Sequence, residues 1–280
     1  MSSIEETLDR ALDLGEEGRW EEMSELLSAA LEQAPDDPYV LCWLGVAERE
    51  LDRPGAAYDL FKRSIAQQPD DPQLLSLAGA GLAAFDDPEA EPALRAAALS
   101  APELAFTRLQ YGAFLAREGL FQEAMHHLDA AVALAPEDPA MHGERGIALA
   151  LKGDLAGAAE AMELALDLAP DDSWTRVLLG LVRLEAGEAE EAATALVEAA
   201  AERETDFEAQ ALAALAAAAQ GWEDRAHEAL ARADFAEEGR DAGLLTEIEG
   251  RVTSGPGPSR EMLAETLAPS ILHQRLMQPL

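Results

Sequence analysis

Prolines return through this chain on a fixed beat: Pro35, Pro69, Pro102, Pro136 and Pro170 stand at steps of 34, 33, 34 and 34 residues. Four of them sit in near-copies of one phrase: Ala-Pro-Asp-Asp-Pro at 34–38, Gln-Pro-Asp-Asp-Pro at 68–72, Ala-Pro-Glu-Asp-Pro at 135–139 and Ala-Pro-Asp-Asp-Ser at 169–173. A period of roughly 20 to 50 residues marks a stacked repeat architecture, in which each unit touches only its neighbours. One elongated solenoid is therefore expected in place of separate globular domains.

Between the prolines lie two helical patterns, parted by a Gly or Asp about midway; Gly119, Gly153, Gly187 and Gly221 are themselves 34 apart. Glycine just past a helix end lets the chain reverse, and proline after the second helix stops it, so each unit reads as a helical hairpin. Aligned units start at Ile4, Pro38, Pro72, about Ala105, Pro139, Ser173 and Phe207. Small residues recur at the eighth place (Gly45, Gly79, Gly112, Gly146, Gly180) and alanine at the twentieth (Ala57, Ala124, Ala158, Ala192, Ala226), which lets two helices approach closely. Apolar residues at the twenty-fourth place, such as Phe61, Leu128, Met162 and Leu196, are expected to bind each unit to the next.

Trp43-Leu44-Gly45, Ala57, Phe61, Ser64 and Pro69 resemble the defining positions of the tetratricopeptide repeat family, and six other units resemble it in weaker form over about residues 4–240. The resemblance implies an all-α superhelical solenoid of about seven helix-turn-helix repeats. Unit three departs from the pattern, with two prolines in Phe85-Asp-Asp-Pro-Glu-Ala-Glu-Pro92 and one residue fewer, so a kink is expected there. Leu244, Leu245, Ile248 and Val252 predict a capping helix over 241–252. Residues 253–259 read as a Gly/Pro-rich linker, and 260–280 as a near-neutral amphipathic C-terminal tail on a very acidic body.

The 20 basic and 55 acidic residues give a formal charge of −35, and only Lys62 and Lys152 are lysines. Such a surface repels phosphate backbones, so neither nucleic acid nor an anionic membrane is an expected partner. Two origins of the charge stand open: a salt-rich cell interior, favoured by lysine depletion along the whole chain, or a dedicated basic partner. No apolar run approaches the roughly 18 residues that span a membrane, and no signal peptide is apparent, which makes the cytoplasm the expected location. The lone Cys42 forms neither an internal disulfide nor a structural zinc site.

Catalysis is not expected. Adjacent His126 and His127 diverge by about 100° on a helix, which does not suit a metal site even with His142 nearby. No nucleophile triad, phosphate loop or calcium loop is spelled out, so no catalytic residue, metal or cofactor is assigned.

In tetratricopeptide repeats the first helix of each unit lines a concave groove, and the resemblance implies that its second, fifth, ninth and twelfth places face inward. Carried over, these places give Tyr39, Cys42, Val46, Phe106, Leu109, Ala113, Ile147, Trp174, Val177, Leu181 and Leu215 as an apolar lining. The chain lacks asparagine altogether, which excludes the family's asparagine ladder and its Lys/Asn carboxylate clamp. An apolar groove suits a hydrophobic peptide or amphipathic helix of a protein partner, with aromatic anchors. The tail itself is a candidate ligand through Leu263, Leu267, Ile271 and Leu272. A seven-residue linker reaches at most about 25 Å, near Trp174 in the same molecule. Docking in cis, homodimer formation by tail exchange and disorder all stand open. The expected function is a non-catalytic scaffold or adaptor; an acidic chaperone for a basic client and a regulatory subunit of an enzyme complex are the alternatives.

Overall fold

In the computed structural model, which describes residues 3–236 and 239–278, every regular element is helical. The outermost tail residues, 279–280, and residues 237–238 of the expected solenoid lie outside the described residues. The chain divides into two compact units, one ending at Leu134 and one running from Ala135 to Gln278.

The first unit stacks four hairpins: α1 (Ser3–Glu16) with α2 (Trp20–Gln33), α3 (Pro38–Glu50) with α4 (Pro54–Ala66), α5 (Pro72–Ala83) with α6 (Ala90–Ser100), and α7 (Ala105–Arg117) with α8 (Phe121–Leu134). The second stacks three: α9 (Pro139–Lys152) with α10 (Leu155–Leu168), α11 (Ser173–Glu185) with α12 (Ala189–Glu202), and α13 (Phe207–Ala219) with α14 (Glu223–Asp234). Then follow α15 (Ala242–Ser254), α16 (Pro256–Met262), a π-helical turn (Leu263–Leu267) and α17 (Ala268–Met277). Helix α15 packs on α13 and α14 at the end of the stack. The fold is an all-α solenoid of helical hairpins.

The recurrent acidic phrase is a helix start. The carboxylates of Asp37, Asp71, Asp138 and Asp172 each accept from backbone N–H groups in the first turn that follows, as from Tyr39 N at 3.0 Å and Gln73 N at 2.8 Å. Pro38, Pro72 and Pro139 then take the first helical position, where a missing N–H costs nothing. Each hairpin reverses through a left-handed residue: Gly119, Gly153, Gly187 and Gly221 have φ between 75° and 87°, while Asp52 and Asp86 take that place in the second and third hairpins.

The two helices of a hairpin interlock where the eighth place meets the twenty-fourth. A Cβ built on Gly112 would come within 2.8 Å of Leu128, on Gly146 within 2.9 Å of Met162, and on Gly180 within 2.7 Å of Leu196. Phe61 also reaches across units: it fills the space over Gly45 and presses on Gly81 of the following hairpin, where a Cβ would stand 2.5 Å away. That contact puts Phe61 in one cluster with Cys42, Ala57, Leu74, Ala78 and Leu82.

The irregular third hairpin is held by charge. Lys62 Nζ lies 2.8 Å from both oxygens of the buried Asp87, which also accepts from the Tyr58 hydroxyl at 2.8 Å and from Glu89 N. Pro92 falls in the first turn of α6 and is tolerated there.

One expected boundary is corrected. The stretch 253–259 is not an extended linker: Thr253 and Ser254 finish α15, Gly255 (φ 103°) makes the break, and Pro256 opens α16. The Gly-Pro composition that suggests a linker is here a helix stop followed by a proline at the first helical position.

Candidate functional site

In the first unit, residues of α1, α3, α5 and α7 with the cap Asp71 surround a cavity of about 620 Å³. Leu8, Leu12, Trp43, Leu74, Leu77 and Phe106 supply apolar surface; Glu5, Asp9 and Asp71 supply carboxylates, and among the described residues no basic side chain lines it. Tyr39, 39% exposed, stands at its edge and donates its hydroxyl proton to Asp71 Oδ2 at 3.0 Å. Partial burial and then the Asp71 carboxylate raise the Tyr39 pKa above the ordinary phenol value.

The inward lining expected for this unit is partly corrected. Tyr39 and Phe106 line the cavity, but Cys42, Val46, Leu109 and Ala113 are buried. Cys42 Sγ lies 3.9 Å from the Leu74 carbonyl oxygen of α5, so the fifth place here faces the seam between consecutive first helices. Burial pushes that thiol far up from its ordinary pKa, leaving it a small core residue. The sixth place turns to the groove instead in the second and third hairpins, where Trp43 and Leu77 stand one full period apart.

In the second unit the corresponding faces are covered. Helix α16 and the π turn pack on α13, and α17 packs on α11 and α9. Met262, Leu263, Leu272 and Leu276 of this segment are buried. Beneath it Val177, Leu181 and Leu215 are also buried, and Ile147 on α9 is half-buried. Leu267, Ile271 and Arg275, four residues apart along one stripe, line a cavity of about 510 Å³ with Trp174, Glu208, Ala211 and Leu212.

Both tail arginines are anchored on α13. Arg260 donates to the Ala219 carbonyl at its C-terminal end (3.2 Å), where the helix dipole favours a cation, and Arg275 pairs with Glu208 near its start (2.7 Å). The Arg275 guanidinium carbon also lies 3.9 Å from the Trp174 ring centroid, and that of Arg203 lies 3.7 Å from it. Two planar cations so near one centroid fit only on opposite faces, so the indole is sandwiched. Each cation keeps its own carboxylate, Arg203 through Asp206 at 2.8 Å.

His127, half-buried on α8, has its pKa lowered to about 4 by burial and then by Arg108 and His126. Arg108 Nη1 donates to its Nδ1 at 3.4 Å and the Tyr111 ring stands edge-on at 4.8 Å, both compatible with a neutral imidazole. Among the described residues, no group of three or more His, Cys, Asp or Glu could hold a metal ion, and no helix is long and apolar enough to cross a membrane.

A family model for the tetratricopeptide repeat matches residues 8–72 and 113–173. Among solved structures the chain is similar to TTC0263, a thermophilic TPR protein in Thermus thermophilus, at 26% identity and a TM-score of 0.54, over 64% of this chain and 98% of that one. It shares its fold with a chain of the APC/C hetero-tetramer Cut9–Hcn1 (19% identity, TM-score 0.65, 85% of this chain and 48% of that one). The same holds for PilW, a widely conserved type IV pilus biogenesis factor (18% identity, TM-score 0.60, 72% and 94%). No curated protein matches the chain.

Proposed function

We propose that this chain, which matches the tetratricopeptide repeat over residues 8–72 and 113–173, is a non-catalytic adaptor of the kind such repeats build, whose N-terminal groove holds a hydrophobic or helical segment of another protein. The open cavity lined by Tyr39, Trp43, Leu77 and Phe106 carries this reading. Rigid aromatic side chains around a concave apolar floor are the usual anchors of a peptide-binding surface. The C-terminal groove is taken as self-held in cis by residues 256–277, with tail exchange into a homodimer as the alternative.

The test is calorimetric titration of the full chain with helical peptides that share an apolar face and differ in charge. Binding is expected at micromolar concentration and is expected to fall about tenfold or more in Trp43→Ala and Phe106→Ala. Peptide binding indifferent to both replacements would sink the reading. The carboxylates Glu5, Asp9 and Asp71 favour one second reading, an acidic chaperone for a basic client. That function predicts binding that is lost between low and high salt and is insensitive to Trp43.

A further inference from the structure

The two grooves carry the same pair of groups in the same repeat register. Tyr39 and Trp174 are each the second residue of a first helix, α3 and α11. Asp71 and Asp206 are each the N-cap of the first helix that follows, α5 and α13. In the second unit this aromatic–carboxylate pair is occupied by Arg203, which stacks on Trp174 and pairs with Asp206 at 2.8 Å. Arg203 stands four residues before the start of α13 at Phe207; the residue four before the start of α5 at Pro72 is Gln68, exposed and uncharged. The first unit thus builds the slot and supplies no guanidinium of its own at that register. Tyr39 hydrogen-bonds Asp71 directly and leaves its ring 39% exposed beside Glu5 and Asp9.

The second unit also shows what enters such a groove from along the chain. The stripe Leu267, Ile271, Arg275 points two aliphatic side chains and one guanidinium at the cavity, with the guanidinium on an aromatic ring and a carboxylate at once.

We infer that the Tyr39–Asp71 pair is an arginine-receiving slot, and that the partner of the N-terminal groove is an amphipathic helix with an aliphatic-x3-aliphatic-x3-Arg stripe. This rests on the scaffold reading above and narrows it. The guanidinium stacks on Tyr39 and pairs with Asp71, while the aliphatic residues lie along Trp43, Leu77 and Phe106. Arginine is required over lysine because only a planar, delocalised cation satisfies a ring face and a carboxylate together.

The probe is a synthetic peptide of residues 256–278, added to the full chain, whose own tail remains in the C-terminal groove. Binding is expected to weaken about tenfold with Arg275→Gln in the peptide, and about tenfold with Tyr39→Ala or Asp71→Asn in the protein. Asp71→Asn keeps a side chain able to cap α5, and a thermal melt checks that the variant folds. Absence of binding, or binding insensitive to Tyr39 and abolished by Trp174→Ala, overturns the inference. If the Arg275→Gln peptide binds as well as the parent and still depends on Trp43, the scaffold reading stands and the arginine slot falls. If the unchanged peptide and the charge-varied set all ignore Trp43 and Phe106, both fall.

Discussion

The two halves of this chain use one repeat to make two different surfaces. In the N-terminal unit the first helices leave a cavity open, with Tyr39 and Leu12 both more than a third exposed. In the C-terminal unit the same faces lie under a segment of the chain itself, and the aromatic residue at the equivalent place, Trp174, is held between Arg203 and Arg275. The hairpin packing is shared, since Gly112–Leu128 and Gly180–Leu196 repeat one contact. A repeat of this kind therefore fixes the scaffold while single places within it decide whether a face is offered or closed.

Removing the closing segment should produce the largest effect. A chain ending at Ser254 loses the buried Met262, Leu263, Leu272 and Leu276 and uncovers α11 and α13. At about 1.5–3 kcal/mol per fully buried side chain, taken as an upper figure, several kcal/mol of stability should go. A fall in melting temperature and a rise in binding of a hydrophobic dye are the readouts. Scattering on both chains decides the arrangement: a dimer that becomes monomeric on truncation contradicts docking in cis, and an unchanged melt contradicts the contrast itself.

Next comes the aromatic pair. Trp174→Ala removes a ring contacted by two cations and should destabilise by about 2–3 kcal/mol, whereas Tyr39→Ala should cost less than about 1 kcal/mol in the free protein. Denaturant melts of the two variants test this, and equal losses would mean that the N-terminal ring is structural rather than on offer.

Smaller again is the ion pair that shapes the third hairpin. Lys62→Met leaves the buried Asp87 carboxylate without its cation and should lower the melting temperature of the chain. Asp87 is held below the ordinary carboxylate value by Lys62 first, then by the Glu89 amide. Its stabilisation is therefore present above the unfolded value near 3.8 and is lost as pH falls through the lower folded value. The Lys62→Met variant should show a shallower loss of stability in that acid range than the parent.

At neutral pH the smallest expected effect is at His127. Its pKa is about 4 in the folded chain against an ordinary 6.5, so the unfolded state takes the proton first. Stability contributed by the neutral ring is complete above pH 6.5 and is lost as pH falls toward 4. His127→Gln should flatten the pH dependence of the melt in that window, and an unchanged slope would contradict the assignment.

Much of the scaffold was legible because it is carried by period. The repeat period, marked by the proline beat and by caps at Asp37, Asp71, Asp138, Asp172 and Asp206, places the first helix of all seven hairpins within one residue of the expected starts, Ile4 against Ser3 being the one shift. The groove was less legible. Which places point inward depends on how steeply successive first helices pack, and a one-place rotation separates buried Cys42 from groove-lining Trp43. The tail misled through composition: Gly255-Pro-Gly-Pro reads as an unstructured connector when residue types are counted, and as helix stop and helix start when their positions are considered.

The π turn at Leu263–Leu267 acts as a phase adjuster for everything beyond it. There the Ala268 N–H reaches back to the Leu263 carbonyl, one residue further than in an α-helix, so α17 leaves the turn rotated relative to an uninterrupted helix. One residue corresponds to about 100° around the axis. Deleting Ala264 should turn this stretch into regular α-helix and leave Arg275 aimed at Trp174 and Glu208, whereas straightening it at full length would swing Arg275 about 100° away from both.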